Sequence, residues 1–98
     1  MQIDITGQQL EITDAIRNYV TDKMPRLEKH FDNIIGAHVI LKVEKYIHSA
    51  ECTLLVAGGG RLHAEDSNTD LYAAIDSMLD KLDRQVRRHK SKLTEHRK

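Results

Sequence analysis

Tryptophan is absent from this 98-residue chain, and its aromatics amount to three tyrosines and one phenylalanine. A sheet surface that stacks single-stranded bases uses two or three aromatics on adjacent strands. Tyr46, alone at a turn, does not supply them, so any nucleic-acid recognition is expected to work through shape and phosphate. Cysteine is as scarce. A single Cys52 excludes an internal disulfide, and its place in an alternating apolar run marks a small core residue in a reducing compartment. Long apolar runs are missing too: nothing approaches the roughly 18 residues of a membrane span. The opening Met1-Gln2-Ile3-Asp4-Ile5-Thr6-Gly7 has no basic or apolar leader pattern, so a soluble cytoplasmic protein without a membrane partner is expected.

Catalytic signatures are equally lacking. No GxSxG, no GxxxxGK[ST] and no GxGxxG opening a helix occurs, and Gly58-Gly59-Gly60 leads into a strand, as a hairpin turn does. The six histidines show no HxxxH or HxH spacing, and there is no CxxC. Asp76 and Asp80, four apart beside Lys81 and Arg84, read as solvated helix charges. A non-enzymatic protein with no cofactor and no metal is expected.

Charge is what the chain has, in an uneven distribution. Residues 81–98 hold eight of the fifteen basic side chains and only Asp83 and Glu95 among the acids, a net of +6, so residues 1–80 carry −6 and the chain sums to zero. An acidic body joined to a basic segment points to a polyanionic partner, because clustered cations release counterions from phosphates and steer the encounter.

The apolar pattern gives the elements. Ile3 and Ile5 alternate in a short strand over Gln2–Thr6 that Gly7 closes. From Thr13, a plausible N-cap, Ile16, Val20, Met24, Leu27 and Phe31 recur at spacings of four and three, predicting a helix to about Phe31 that Pro25 kinks or splits into two pieces sharing one apolar face. Val39, Leu41 and Val43, then Ala50, Cys52, Leu54 and Val56, alternate as a hairpin, and Arg61–Glu65 adds a fourth strand after the glycines. His38 and His63 fall on the outward side. After Ser67-Asn68-Thr69, Leu71, Ile75, Met78, Leu79, Leu82 and Val86 mark a helix from about Asp70 to Glu95, longer than the strands, so its basic end should overhang the sheet. The fold class is α+β: one domain over 1–98 in the order β-α-β-β-β-α, a four-stranded sheet with two helices on one face and a right-handed first crossover. Residues 87–98 form a basic helical extension.

On the last helix Lys81, Arg84, Arg88 and Lys92 fall in one stripe away from the apolar face, with Arg87 and Lys90 on the other flank. A soluble surface mixes its signs more evenly than this. His89 and His96 add donors to the segment. On the first helix Lys23, Arg26 and His30 share a flank, and side-by-side helices would make a groove lined by cations. A protein-interaction module, docking the basic helix on an acidic protein or an anionic membrane, is the alternative from a different class, and the thin apolar stripe after Val86, with Leu93 alone, argues against insertion.

Six segments carry a resemblance: Ile3-Asp4-Ile5-Thr6-Gly7, Glu11-Ile12-Thr13-Asp14-Ala15-Ile16-Arg17, Leu27-Glu28-Lys29-His30-Phe31, Val39-Ile40-Leu41-Lys42-Val43-Glu44-Lys45, Asp70-Leu71-Tyr72-Ala73-Ala74-Ile75-Asp76 and Lys81-Leu82-Asp83-Arg84-Gln85-Val86. In this order and at these separations they resemble the short form of the ribosome hibernation promoting factor family, over nearly the whole length. The resemblance implies a fold similar to double-stranded RNA-binding domains and a non-enzymatic plug on the small ribosomal subunit, where messenger and transfer RNA would lie. It implies binding to the whole ribosome and its ribosomal RNA in stationary phase, and dormant paired ribosomes in cooperation with ribosome modulation factor. Long forms carry a further C-terminal dimerisation domain. The related ribosome-associated inhibitor, which blocks translation without pairing ribosomes, typically has a longer, acid-rich tail, unlike His96-Arg97-Lys98. Carried onto this chain, the RNA-contacting positions fall on Lys81, Arg84, His89, Lys90 and Lys92, with Lys23, Arg26, Lys29, Lys42 and Lys45 as further positions beside the basic Arg87 and Arg88.

Overall fold

Strand β1 (Gln2–Gln8) is followed by helix α1 (Asp14–Lys23), a 3-10 helix over Met24–Lys29, the strands β2 (Ile34–Glu44), β3 (Ile47–Val56) and β4 (Arg61–Asn68), and helix α2 (Leu71–Glu95). The computed structural model describes residues 1–29 and 33–95, with the side chains of α2 as far as His89. The sheet order is β1-β2-β3-β4, parallel between β1 and β2 and antiparallel elsewhere. This is the expected α+β architecture. Its molecule measures 50 × 21 × 20 Å.

Strand alternation decides which side chains meet the helices. Ala37, Val39 and Leu41 of β2, Ala50, Cys52, Leu54 and Val56 of β3, and Ala64 of β4 point inward, against Ile16, Val20, Met24 and Leu27 on one side and Leu71, Ile75, Met78, Leu82 and Val86 on the other. His38 and His63 lie exposed on the opposite face. Burial pushes the Cys52 thiol up to about 12, with nearby Glu51 adding to the shift. The unfolded chain therefore ionises first, and stability declines as pH rises from the ordinary thiol range toward that value. Thiol reagents at pH about 8.5 should label Cys52 only when the fold opens, at rates that rise with urea. Rapid labelling without urea would contradict the buried placement.

Two boundaries differ from the sequence expectation, the end of β1 at Gln8 and the end of β4 at Asn68, while the first helix splits at Pro25 as expected. Thr13 caps α1, its hydroxyl accepting from Ile16 N at 3.3 Å, but the α-helix stops at Lys23 because Pro25 has no N–H to give. The chain continues as the tighter 3-10 helix, keeping Met24 and Leu27 buried on the same apolar face. The expected end at Phe31, and His30 with it, lies outside the described residues. β4 runs on to Asn68, beyond the expected Glu65, because Ser49 and His48 of the longer β3 pair with Ser67 and Asn68. Asp70 then caps α2, its carboxylate accepting from Tyr72 N at 3.0 Å, while Asn68 accepts from Asp70 N at 3.0 Å.

Candidate nucleic-acid interface

Helix α2 runs back along β4, so its basic half reaches the strand's beginning. Gln85 fixes the alignment: its amide nitrogen donates to His63 O at 2.6 Å and its carbonyl accepts from His63 N at 3.3 Å. One turn earlier, Lys81 donates to Glu65 O at 3.0 Å and lies 3.4 Å from the Asp66 carboxylate. Two side chains of one helix flank thus hold alternate residues of an edge strand whose backbone would otherwise be open to pairing. With Gln85 level with His63, the start of β4 at Arg61 is passed near Lys90, and about five further residues, roughly 8 Å, project beyond it.

Lys81 was expected among the free RNA contacts, and the structure gives it a prior role in bracing β4. Asp66, opposite, sits below the usual carboxylate range, first because it accepts from Ser67 N and then because of Lys81. A carboxyl with a depressed folded pKa contributes stability above its unfolded value and loses it as pH falls through the folded one. Asp66→Asn should therefore remove part of the acid loss of stability below about pH 4, read as a shallower fall of the urea midpoint on acidification. An unchanged acid profile would separate Asp66 from the clasp.

Arg84 and Arg88 stand exposed on the outward crest of α2, and among the described residues neither is drawn into an ion pair. Arg87 shares the crest but leans to the other flank, 3.1 Å from Asp83. The side chains of Lys90 and Lys92, and those of Leu93 and His96, lie outside the described residues.

The expected groove between the helical segments exists, with mixed charge. A cavity of about 210 Å³ is lined by Lys23, Arg26, Lys29 and Arg87, and also by Asp80, Asp83, Leu27 and Leu79. Lys23 faces inward: it lies 3.1 Å from Asp76 and 4.4 Å from the centre of the Tyr19 ring, whose hydroxyl donates to the same carboxylate at 2.8 Å. Contact with Tyr19, then with Asp76, raises the Lys23 ammonium above its ordinary range. Tyr72 closes the cluster edge-on to Tyr19, with centroids 4.7 Å apart. Lys23 therefore ties α1 to α2, while Arg26 and Lys29 are exposed beside the crest. Lys42 and Lys45 belong elsewhere. Lys42 pairs with Glu44 at 3.2 Å on the open sheet face, and Lys45, at φ 58°, forms the β2–β3 turn at the end where α2 begins.

The site thus divides. Arg84, Arg87 and Arg88, flanked by Arg26 and Lys29, form a basic band, and Lys81 and Lys23 brace the fold beside it. Such a band suits the regularly spaced phosphates of a folded RNA, which its exposed cations can meet from one side. Among the described residues no group of three His, Cys, Asp or Glu side chains gathers as a metal site, and no helix is long and apolar enough to cross a membrane.

Residues 3–94 match the family model described as Sigma 54 modulation protein / S30EA ribosomal protein. The chain belongs to this family. Within the Sigma 54 modulation protein / S30EA ribosomal protein family it is 50% identical over 96 residues to the ribosome hibernation promoting factor of Escherichia coli strain K12, covering 98% of this chain and 100% of that one. It is 48% identical over 92 residues to the protein of the same name from Pseudomonas putida, covering 94% and 89%. Solved structures of like shape include the N-terminal domain of Thermus thermophilus Protein Y, with TM-score 0.85 and 41% identity over 91% of this chain and 99% of that one. A ribosomal subunit interface protein from Coxiella burnetii gives TM-score 0.87 and 26% identity, over 93% and 99%.

Proposed function

We propose that this chain is a cytoplasmic, non-enzymatic ribosome hibernation factor, a single ribosome-binding domain over 1–98 with a basic extension at 87–98. It binds the small ribosomal subunit in the channel used by messenger and transfer RNA and so inhibits translation. With ribosome modulation factor it favours dormant, paired ribosomes. The observation that carries the reading is the crest of α2, where Arg84, Arg87 and Arg88 point away from a core that needs none of them. Lys90 and Lys92 continue the same helix, and the names of the relatives agree with a ribosomal partner.

Sedimentation with small subunits through sucrose gradients tests this. Binding should be salt-sensitive, with a log-log slope of about −4 to −5 for roughly six neutralised phosphates, and messenger plus initiator transfer RNA should compete. No binding at low salt would end the ribosomal reading. Nuclease-resistant binding to an acidic protein, or capture by anionic vesicles, would turn it toward the protein-interaction module. Ribosome pairing, measured with and without ribosome modulation factor, separates a hibernation factor from an inhibitor that only blocks.

A further inference from the structure

Where α2 crosses the beginning of β4, a cavity of about 290 Å³ opens between Leu62, Gln85, Arg88 and His89. We propose that it seats one unpaired nucleobase, stacked against the Arg88 guanidinium over an apolar floor made by Leu62. This deepens, and rests on, the reading of α2 as an RNA-contacting surface.

The lining is unlike the rest of the basic band. Leu62 is half-buried and faces the helix side of the sheet, in register with buried Leu54. Gln85 forms a wall whose two amide atoms are both engaged by the backbone of His63, at 2.6 and 3.3 Å, so it is held in place beside the cavity. Arg88 is exposed on the rim and His89 half-buried beside it. A phosphate prefers convergent donors, and a Leu floor offers it nothing. Among the described residues Leu62 is the one apolar side chain of the lining, and an apolar peptide would need more. A nucleobase fits this lining, because its π-face suits both the planar cation and the leucine. Arg84, one turn back on the crest, is placed for the adjoining phosphate. Bases stacked inside a duplex cannot enter, so the site takes single-stranded nucleotides, such as those of ribosomal RNA loops. With no cluster of aromatics on the sheet, this is a base contact built from Arg and Leu.

The test uses Arg88→Lys, which keeps the charge and loses the flat guanidinium, with Arg17→Lys, at an exposed position of α1 away from the basic band, as the control outside the cavity. Each full-length protein is titrated with a short single-stranded RNA containing 2-aminopurine and with a duplex of equal phosphate count. The parent should prefer the single strand and change the 2-aminopurine fluorescence. Arg88→Lys should weaken single-strand binding about tenfold, within the range for loss of one stacked base, leaving the salt slope and duplex binding as they were. Arg17→Lys should bind like the parent. No fluorescence change, equal binding of the two RNAs, or an Arg88→Lys protein indistinguishable from the parent would overturn the base site, whatever happens on ribosomes. Ribosome sedimentation of the same proteins keeps the failures apart: single-strand preference without ribosome binding would sink the ribosomal reading and leave the base site standing.

Discussion

Reversing two charges, Arg84→Glu with Arg88→Glu, should weaken binding to the small subunit by about 100-fold or more at moderate salt, equivalent to at least roughly 2.7 kcal/mol, while the melting temperature barely moves. The two halves of this expectation come from different parts of the structure. Both arginines are exposed on the crest of α2 and, among the described residues, engage no ion pair, so exchanging them leaves the core and the clasp on β4 as they are. Surface substitutions of this kind usually change stability by about 0.5 kcal/mol or less. Neither residue lies in the last turn of α2, which ends at Glu95, so the helix dipole adds little. On the RNA side, two phosphate contacts are lost and two repulsions are added, and the salt slope should become shallower by about 1.4 to 1.8 for the two contacts. Parallel sedimentation and thermal denaturation of the double variant check both halves. Parental binding by a folded double variant would remove the helix crest from the mechanism; a collapse of the melting temperature would show that the crest supports the fold.

The basic helix was legible because charge and periodicity act in one element: the stripe of Leu71, Ile75, Met78, Leu82 and Val86 sets the phase, and the phase decides which cations face out. Strand alternation likewise gave the inward set of β2 and β3 and the outward His38 and His63. What the pattern could not give depends on contacts between elements. A lysine that clasps an edge strand and one that waits for phosphate have the same place on a helical wheel, so Lys81 read as a free contact. Gln85 carried no signal at all, since an uncharged polar residue on a helix flank looks like solvent-facing filler until β4 is beside it. Lys23 does line the groove its flank predicts, but the pattern could not show that Tyr19 and Asp76, 57 residues apart in sequence, already engage it there. The helical wheel puts Arg87 on the flank opposite Arg84 and Arg88, but it does not show that Asp83, in the same groove, is its neighbour. Pro25 announced an interruption, and the 3-10 form it takes follows from keeping Met24 and Leu27 buried without the lost hydrogen bond.

The opposite pattern, stability lost and affinity kept, is expected from Gly7→Ala, at the far side of the molecule from the basic crest. The sequence suggests only that Gly7 closes the first strand, whereas the structure places it inside β1, in register with Leu41. Past Gln8 the chain turns sharply, with Gln9 at φ 57°, and folds back so that the Leu10 carbonyl sits where a Cβ on residue 7 would have to go. Two carbons of the Ile12 side chain lie 3.1 Å from that same position. A flexible side-chain tip can swing away from an added methyl, but a backbone carbonyl moves only with its segment, and this segment leads directly into Thr13, the cap of α1. Forced overpacking of this kind costs about 3 kcal/mol, a large part of the roughly 5–15 kcal/mol that holds a domain of this size. The melting temperature should fall by about 12–24 °C at roughly 4–8 °C per kcal/mol. Below the new transition the crest of α2 still rests on its own face of the core, so ribosome affinity of the folded protein should match the parent. Unchanged melting would mean that the close approach at Gly7 is not as drawn; a loss of affinity in fully folded Gly7→Ala protein would place part of the ribosome-binding surface at the β1–α1 connection, away from Arg84 and Arg88.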